Sequence, residues 1–458
     1  MDKTKEKFVA FAADLNYADL TPEAVHAVKR CVVDAIGCAL GAFHAEPVKA
    51  VRALASRTTA AAPATVIGTQ IRTSADLAAL ASGAMVRYSD FSDDYFGGNG
   101  DTGPHPSDNI GGILAAAESA GADGKALVLG IVIAYEACGQ FVDHTALRVR
   151  GWDHPIFHSI ATALGAARIL GLPRRQIGSA LALAVVPNIC LYQTRLGDIS
   201  NWKSLAGPNG SRNGLFAALL AREGITGPHE PFEGKAGLME QLDNPFELGA
   251  LGSKDTPFKV QSTFFKCLPV RYEMQLPVWV ALELRDRVRL QDIESIRVYL
   301  EKRSVFSRSY NPAHWDPRTR ETADHSGPYL IGAALVDGEI TERTFTPQRY
   351  RDPAILDLVQ KIHLEEDNEY TAAFPRTFHC RFEVALESGE VITVHKTNPK
   401  GHPANPLTDR ELDEKFLKQA GVVLAAKQSR ALLDQLWQLE KLDDIGKLFP
   451  LMLVAEPG

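Results

Sequence analysis

The stretch TPEAVHAVKRCVVDAIGCALGAF, residues 21–43, is the clearest structural signal in the chain. It opens with Thr21, a favourable N-cap residue, followed by Pro22 at the first helical position. Its valine, isoleucine and leucine side chains then recur at steps of three and four residues, which predicts a helix with one broad apolar face. Because such a face must be buried against other elements, the stretch predicts a packed helical body.

Similar segments continue to about residue 260. They are SADLAALASGAMVRYSD, GKALVLGIVIAYEACGQFV, SIATALGAARILGL and SRNGLFAALLAREGITGP. Several end in glycine, or in glycine followed by proline, as helix C-termini commonly do. Their high alanine and glycine content predicts a crowded helical bundle that leaves apolar faces for a subunit partner.

The pattern changes near residue 260. IESIRVYL is a strand candidate, and HCRFEVALESGEVITVHKT alternates apolar and polar residues on both sides of a Ser-Gly turn, which predicts a hairpin. ETADHSGPYLIGAALVDG and DPAILDLVQKI predict helices between them, and helical segments return after about residue 405. The predicted class is mainly α, with one helical domain formed by residues 1–265 and 405–458 and an inserted α+β domain at 266–404.

Composition narrows the function classes. The 458 residues carry a formal net charge of −7 and a pI near 6.0, which argues against nucleic acid as the main partner. The six cysteines form no CxxC pair and predict reduced thiols. No apolar run approaches the roughly 20 residues of a membrane span, and the charged N-terminus lacks a signal-peptide core. We therefore expect a cytoplasmic protein with no membrane partner.

The acidic stretch SDFSDDYFGGNGDTGPHPSDNIGG, residues 89–112, has three interpretations. Its glycines spell GxGxxG, but no strand precedes them and Pro104 separates them from the next helix, so a mobile turn at 97–103 is favoured over a dinucleotide site. The carboxylates of Asp90, Asp93, Asp94 and Asp101 match no regular metal cage, and no required metal is expected. The third interpretation is an acid–base pocket with His105 near a helix N-terminus.

Other basic and titratable residues stand in apolar surroundings. They are His154 and His158, Lys203 and Arg212 at the approach to a helix, Lys266 and Arg271, and Arg320, His325 and Tyr329. A charged group buried among apolar residues is costly unless it is paired. Each residue alone is weak evidence, but together they predict one pocket for a small polycarboxylate substrate.

These segments resemble the MmgE/PrpD family, which includes 2-methylcitrate dehydratase and cis-aconitate decarboxylase. The motifs are HPSDNIGGILA, WDHPIFHSIATALGAARILGL, KSLAGPNGSRNG, KCLPVRYEMQ and RETADHSGPYLIGAALVDG. The resemblance covers nearly the whole chain. It implies that the α+β domain is a lid on the helical domain, that the protein is a homodimer without a cofactor, and that the site lies where the domains meet.

The resemblance also implies which residues form the pocket. The implied catalytic residues are Asp90, His105, His154, Lys203, Lys266 and Tyr329, and the implied substrate-binding residues are Asp94, Arg212, Gln275 and His325. Two departures stand out. Asp94 replaces an expected threonine in a longer, glycine-rich loop, and Gln275 stands where the decarboxylase branch commonly has histidine, which favours the dehydratase branch.

The expected activity is that of a hydro-lyase on a 2-methylcitrate-like polycarboxylate in propionate catabolism. His105 with Asp90 is expected to act as one proton-transfer unit and His154 or Tyr329 as its partner, with the assignment of base and acid left open. Lys203, Lys266 and Arg212 are expected to neutralise carboxylates. A cis-aconitate-type decarboxylase, an epimerase and a non-catalytic polycarboxylate-binding protein are the alternatives.

Overall fold

A computed structural model describes residues 1–98, 101, 103–305 and 311–455. The chain is 56% helical and 9% strand, which confirms the predicted mainly α class. Three residues of the glycine-rich loop predicted as a mobile turn, at positions 99, 100 and 102, lie outside the described residues.

We call residues 1–265 and 405–455 the helical body. Its α-helices are Lys3–Asp14, Pro22–Gly41, Glu46–Ala55, Ala75–Arg87, Ile110–Ser119, Gly124–His144, Pro155–Ile169, Arg174–Val185, Lys203–Arg222, Leu238–Leu242, Asp409–Ala420, Ala426–Leu436 and Phe449–Met452, and a two-stranded hairpin joins Ala64–Thr65 to Arg72–Thr73. The helix predicted from residues 21–43 is confirmed, and the Thr21 hydroxyl accepts a hydrogen bond from the Ala24 amide at 3.2 Å. The C-terminal helices complete the same apolar core as the N-terminal ones.

Helix Gly124–His144 runs through this core. Among the described residues it is the one unbroken helix long and apolar enough to cross a membrane. However, 89% of its apolar window is buried inside the protein. Its hydrophobicity therefore serves internal packing.

Helix Lys203–Arg222 begins earlier than the sequence predicted, so Lys203 and Arg212 lie within it and not before it. Its glycine-rich first half and internal Pro208 have low helix propensity. Neighbouring groups press directly on its backbone: a Cβ at Gly207 would meet the Asp108 carboxylate at 1.8 Å, and one at Gly210 would meet a main-chain oxygen at 2.3 Å. Close packing of neighbouring groups against the glycine residues of this helix therefore outweighs its low helix propensity.

We call residues 266–404 the α+β unit. Its sheet has the strand order Ile362–Glu366, Ile293–Leu300, His379–Leu386, Val391–Thr397, with the first pair parallel and the others antiparallel. Its α-helices are Gln275–Leu284, Arg320–Ala323, Gly327–Asp337, Pro347–Tyr350, Pro353–Lys361 and Asn368–Ala373. The sequence indicated the three antiparallel strands but not Ile362–Glu366, which directly follows a helix.

The segment predicted as one helix over residues 321–338 is broken in two. Ser326 caps the second helix by accepting a hydrogen bond from the Tyr329 amide at 3.1 Å. The break places Asp324 and His325 between two helix ends, facing the helical body. The α+β unit has its own apolar core, against which Phe96 and Phe264 of the helical body pack. Beside this contact Asp94 and Phe264, both in the helical body, exchange two main-chain hydrogen bonds of 2.8 and 2.9 Å.

Candidate active site

A small, highly charged cavity lies between the two units, with a volume of about 60 Å³. The helical body lines it with Arg87, Asp90, Asp94, Gly103, His105, Arg148, Asp153, His154, Tyr192 and Arg195, and the α+β unit lines it with Lys266, Arg271, Tyr272, Glu273, Arg303, His314 and His325. Because the lining comes from widely separated segments, the cavity exists only in the folded chain.

Asp90 stands at the centre of the charge cluster. Its backbone has a φ of 50°, a left-handed conformation that costs energy for a residue other than glycine and is typical of functional sites. The carboxylate accepts hydrogen bonds from Arg87 at 2.5 Å and from Lys266 at 2.9 Å, and Lys266 also donates to the Asp90 carbonyl at 3.0 Å. Burial opposes ionisation, but Arg87, Lys203 and Lys266 outweigh it and hold the pKa of Asp90 well below its ordinary value.

A second buried carboxylate, Asp324, stands beside the first. It accepts hydrogen bonds from Lys203 at 2.8 and 3.0 Å and from the His325 ring at 2.5 Å. Burial would raise the pKa of Asp324, but Lys203 and His325 lower it to about 2. Asp90, Asp324 and His325 are close enough together to hold a metal ion, yet the ammonium groups already occupy the carboxylates, so this donor set does not suit a divalent cation.

His105 is held in one orientation by its own loop. Its Nδ1 lies 2.6 Å from the Asp93 carbonyl oxygen, and because a carbonyl only accepts, Nδ1 must carry the proton. The Nε2 lone pair therefore faces the cavity, 3.7 Å from the Asp90 carboxylate. Burial, Arg87 and Lys266 lower the pKa of His105 well below its ordinary value, so the ring is neutral and has the form of a general base.

His154 lies on the other side of the cavity, with its ring centroid 6.1 Å from that of His105. Its Nε2 is 3.2 Å from Arg195 Nη2, and the Arg195 guanidinium also donates to Asp153 at 2.9 Å. On the side of the ring away from the cavity, His154 Nδ1 is 3.2 Å from Nε2 of His158, which is fully buried. Burial and Arg195 lower the pKa of His154 well below its ordinary value, so this ring is also neutral.

The far wall of the cavity combines a carboxylate with two guanidinium groups. Glu273 forms ion pairs with Arg271 and Arg303, each at 2.8 Å. Burial opposes its ionisation, but both arginines hold the pKa of Glu273 well below its ordinary value. Burial raises the pKa of Asp94 well above its ordinary value, although Lys266 and Arg303 nearby oppose this shift.

Comparison with known families gives two matches that together span most of the chain. A model of the MmgE/PrpD N-terminal domain matches residues 6–250, and a model of the MmgE/PrpD C-terminal domain matches residues 269–439. The chain belongs to the MmgE/PrpD family.

Characterised MmgE/PrpD relatives resemble the chain along most of its length. The 2-methylcitrate dehydratase of Salmonella typhimurium is 26% identical over 448 residues, covering 92% of this chain and 91% of the relative. The cis-aconitate decarboxylase of Mus musculus is 24% identical over 472 residues, covering 98% and 93%. The mitochondrial 2-methylcitrate dehydratase of Yarrowia lipolytica is 25% identical over 412 residues, covering 83% and 76%. The named activities are both lyase activities.

Most of the residues that the MmgE/PrpD resemblance implied converge. The cavity lining includes Asp90, Asp94, His105, His154, Lys266 and His325. Lys203 lies directly behind that lining, 3.6 Å from Asp90. These seven side chains form a single cluster.

Three implied residues are not brought to the cluster. Tyr329 is fully buried in the core of the α+β unit, and its hydroxyl donates to the Thr344 carbonyl. Arg212 is partly exposed and pairs with Asp76. Gln275 is buried but folds the segment after Lys266 by bonding the main chain of Cys267, Leu268 and Val270. In this structure the three side chains thus lie outside the cluster, and their implied roles stay predictions.

Several site residues of this MmgE/PrpD chain were missed from its sequence. They are Arg87, Arg148, Asp153, Arg195, Glu273, Arg303, His314 and Asp324. Arg87 gave a usable signal, because it ends an otherwise apolar helix, and Asp324 stands next to His325, which was identified. The others occupy polar segments where a charged residue is unremarkable.

Proposed function

We propose that the protein is a cofactor-independent hydro-lyase that dehydrates a 2-methylcitrate-like tricarboxylate. One observation carries the proposal. The neutral His105 ring directs the lone pair of Nε2 into a cavity whose walls include Lys266, Arg195 and other cations that can bind carboxylates. A base beside concentrated positive charge suits removal of a weakly acidic proton α to a carboxylate.

In this mechanism His105 Nε2 takes the α proton first, which leaves the electron pair of the C–H bond in a carbanion stabilised by the adjacent carboxylate, and this pair then forms the carbon–carbon double bond. The C–O bond to the hydroxyl breaks with its electron pair on oxygen, and a proton from the site converts the leaving hydroxide to water. Lys266 and Lys203 stabilise the negative charge that develops on the substrate carboxylate. The bound polyanion also raises the proton affinity of His105, which its cationic surroundings otherwise suppress.

The balance of charge supports a polyanionic substrate. The lining contains six Arg and Lys side chains against four carboxyl groups, and burial raises the pKa of one of these, Asp94, well above its ordinary value. A volume of about 60 Å³ is the space of roughly two water molecules, far less than a tricarboxylate needs. The two units must therefore separate to admit substrate and close over it, which excludes bulk water from the reaction.

A decarboxylase is the second candidate, because a cis-aconitate decarboxylase matches 98% of this chain. The same cationic cavity would hold its tricarboxylate, and the released carbon dioxide would leave a carbanion to be protonated. An epimerase would return a proton to the same carbon.

The test is an assay of the purified protein with 2-methylcitrate, citrate and cis-aconitate. We expect an unsaturated tricarboxylate from 2-methylcitrate and no carbon dioxide. His105→Gln should lower kcat by roughly 10²–10⁴-fold. His402→Gln is the matched control, since His402 is buried against Phe264 and does not line the cavity. Carbon dioxide from cis-aconitate would favour the decarboxylase, and full activity of His105→Gln would refute the assigned base.

We further propose a cytoplasmic homodimer. Residues 186–202 expose several large apolar side chains on the helical body, namely Val186, Ile189, Leu191 and Trp202. The same segment carries Tyr192 and Arg195 of the cavity, so a second copy seated there would also steady the site. The six cysteines are free thiols, as in a reducing compartment. Light scattering of the purified protein should give twice the monomer mass, and Ile189→Glu should lower it.

A further inference from the structure

A group of buried polar side chains lies behind His154 and takes no part in the mechanism above. Asp108 and His158 are both fully buried. Within the described part of the chain, neither oxygen of Asp108 makes a hydrogen bond, and the nearest charged or imidazole nitrogens are His158 Nε2 at 3.5 Å and Arg87 Nε at 3.9 Å. An unsatisfied buried carboxyl group is costly and needs an explanation.

The orientation of Asn109 fixes the proton on His158. Its amide nitrogen donates to the Pro106 carbonyl at 2.9 Å, and its oxygen accepts from Thr162 at 2.8 Å. The amide therefore presents an N–H to His158 Nδ1, 3.3 Å away. A neutral imidazole has one N–H and one lone pair, so His158 accepts at Nδ1 and carries its proton on Nε2, facing His154.

The same assignment of donors and acceptors shows which ring nitrogen of His154 carries the proton. If His158 donates from Nε2 to His154 Nδ1, the His154 proton lies on Nε2, where it meets the Arg195 guanidinium at 3.2 Å. Two donors then face each other at the cavity wall. An oxygen placed between them would accept from both, so the chain of hydrogen bonds is complete only when a substrate oxygen enters the cavity.

We propose that Asp108, His158 and His154 form a buried proton relay that protonates the leaving hydroxyl of the substrate. The proposal rests on the hydro-lyase function proposed above. His154 gives its Nε2 proton to the departing oxygen, His158 passes its Nε2 proton to His154 Nδ1, and the Asp108 carboxylic acid replaces it. Water leaves, Asp108 remains as a carboxylate near Arg87, and the proton taken by His105 returns through solvent.

In this scheme His154 is the catalytic acid, and Asp108 and His158 are positioning residues that act through it. Helix Lys203–Arg222 seals the relay, because the Asp108 carboxyl lies against Gly207 with no space for a side chain. Burial raises the pKa of Asp108 to about 7, so it holds a proton near neutral pH. The charged and titratable groups around it are Arg87, which lowers that pKa, and Asp93, Arg195, Asp90 and His158.

The decisive experiment compares elimination with exchange of the α proton in D₂O, using 2-methylcitrate as the probe. Asp108→Asn and His158→Gln should each lower kcat for dehydration by roughly 100-fold with little change in KM, while His105 still exchanges the α proton. The kcat of the wild-type protein should fall as pH rises through about 7, and this fall should be absent in Asp108→Asn. Glu136→Gln is the matched control, since Glu136 is another buried carboxyl that bonds only the core around it.

The outcomes separate the relay from the function on which it rests. Wild-type protein that neither exchanges the α proton nor dehydrates 2-methylcitrate overturns the proposed function. Wild-type turnover with near-normal kcat and an unchanged pH profile in Asp108→Asn overturns the relay alone. Equal loss of exchange and elimination in Asp108→Asn and His158→Gln also overturns it, because that result indicates structural damage to the whole site.

Discussion

Two of the cavities formed by the described residues share Lys266 in their linings but differ in size and in chemistry. The larger has a volume of about 730 Å³ and is walled mainly by apolar side chains, including Phe91, Trp279 and Val422. The smaller, at about 60 Å³, is walled by guanidinium, ammonium, imidazole and carboxyl groups. By size alone the larger one resembles a ligand site. By chemistry, the smaller one gathers His105 and His154 with six Arg and Lys side chains in a small space, whereas the His and Lys side chains of the larger one stand among mainly apolar walls.

This contrast indicates that, for the proposed site, converging charged groups are a better guide than empty volume. A cavity that closes over its substrate, as proposed here, is small when empty, whereas a cleft between packed elements is large whether or not it binds a ligand. Lys266 lines both cavities, but it donates its hydrogen bonds to Asp90, which lines the smaller one. Substitutions at Lys266 therefore test which cavity holds the substrate.

The strongest test of the comparison replaces Lys266 with methionine, which keeps the length of the side chain and removes its charge. We expect Lys266→Met to lower kcat by roughly 10²–10³-fold, because one of the cations that stabilise the reacting carboxylate is lost. Steady-state kinetics on 2-methylcitrate checks this. Activity within a few-fold of wild type would shift attention to the larger cavity.

A second buried lysine provides the contrast. Lys415 lines only the larger cavity, and it forms an ion pair with the buried Asp34 at 2.5 Å. Lys415→Met should lower the free energy of unfolding by about 3–5 kcal/mol, because it leaves Asp34 buried and unpaired. The folded fraction should keep kcat within about twofold of wild type. Urea denaturation with parallel kinetics measures both, and a large fall in kcat with normal stability would contradict the contrast.

A third test uses the pH dependence of stability. The pKa of Asp108 rises from its ordinary value near 4 to about 7 on folding, so the folded state binds its proton more tightly. Asp108 therefore contributes stability below pH 4 and loses it as pH rises to about 7. Asp108→Asn removes that loss, and its stability relative to wild type should rise by up to about 1.4 kcal/mol per pH unit across this interval. Denaturation at pH 5 and pH 7.5 measures the change, and a difference independent of pH would refute the assigned proton.

The smallest effect is expected at the rim of the larger cavity. Val422 is 57% exposed there, so Val422→Trp should partly fill the opening with little strain. We expect kcat/KM on 2-methylcitrate to change by less than about twofold. A loss of tenfold or more would mean that substrate passes through the larger cavity.

Much of the helical body could be predicted from the sequence because its signals are local. The apolar periodicity and the Thr21 cap gave helix Pro22–Gly41, and serine–glycine turn chemistry gave the hairpin of the α+β unit. Helix Lys203–Arg222 was placed too late, because its glycines are set by neighbours such as Asp108 that no local pattern reveals.

The site followed the same division. Residues carried by motifs, such as His105 and Lys266, were found, whereas Tyr329 was assigned to the site because sequence does not show which way a side chain points. Arg195 and Glu273 were missed because their importance comes from partners in other segments. The proposed relay could not be predicted for the same reason. His158 and Asp108 are 50 residues apart in the chain, and no local pattern indicates that they come together.

The paired main-chain bonds between Asp94 and Phe264 have a mechanical consequence. They join two segments of the helical body, four residues after Asp90 and two residues before Lys266, where the chain enters the α+β unit, and they do not depend on which side chains stand there. If the α+β unit rotates about this junction when the cavity opens, the Asp90–Lys266 pair, which lies beside the junction, moves less than groups farther from it. The buried ion pair between Asp90 and Lys266 would thus stay formed near the junction while the cavity opens. Only the groups farther from the junction would have to form their contacts again when it closes.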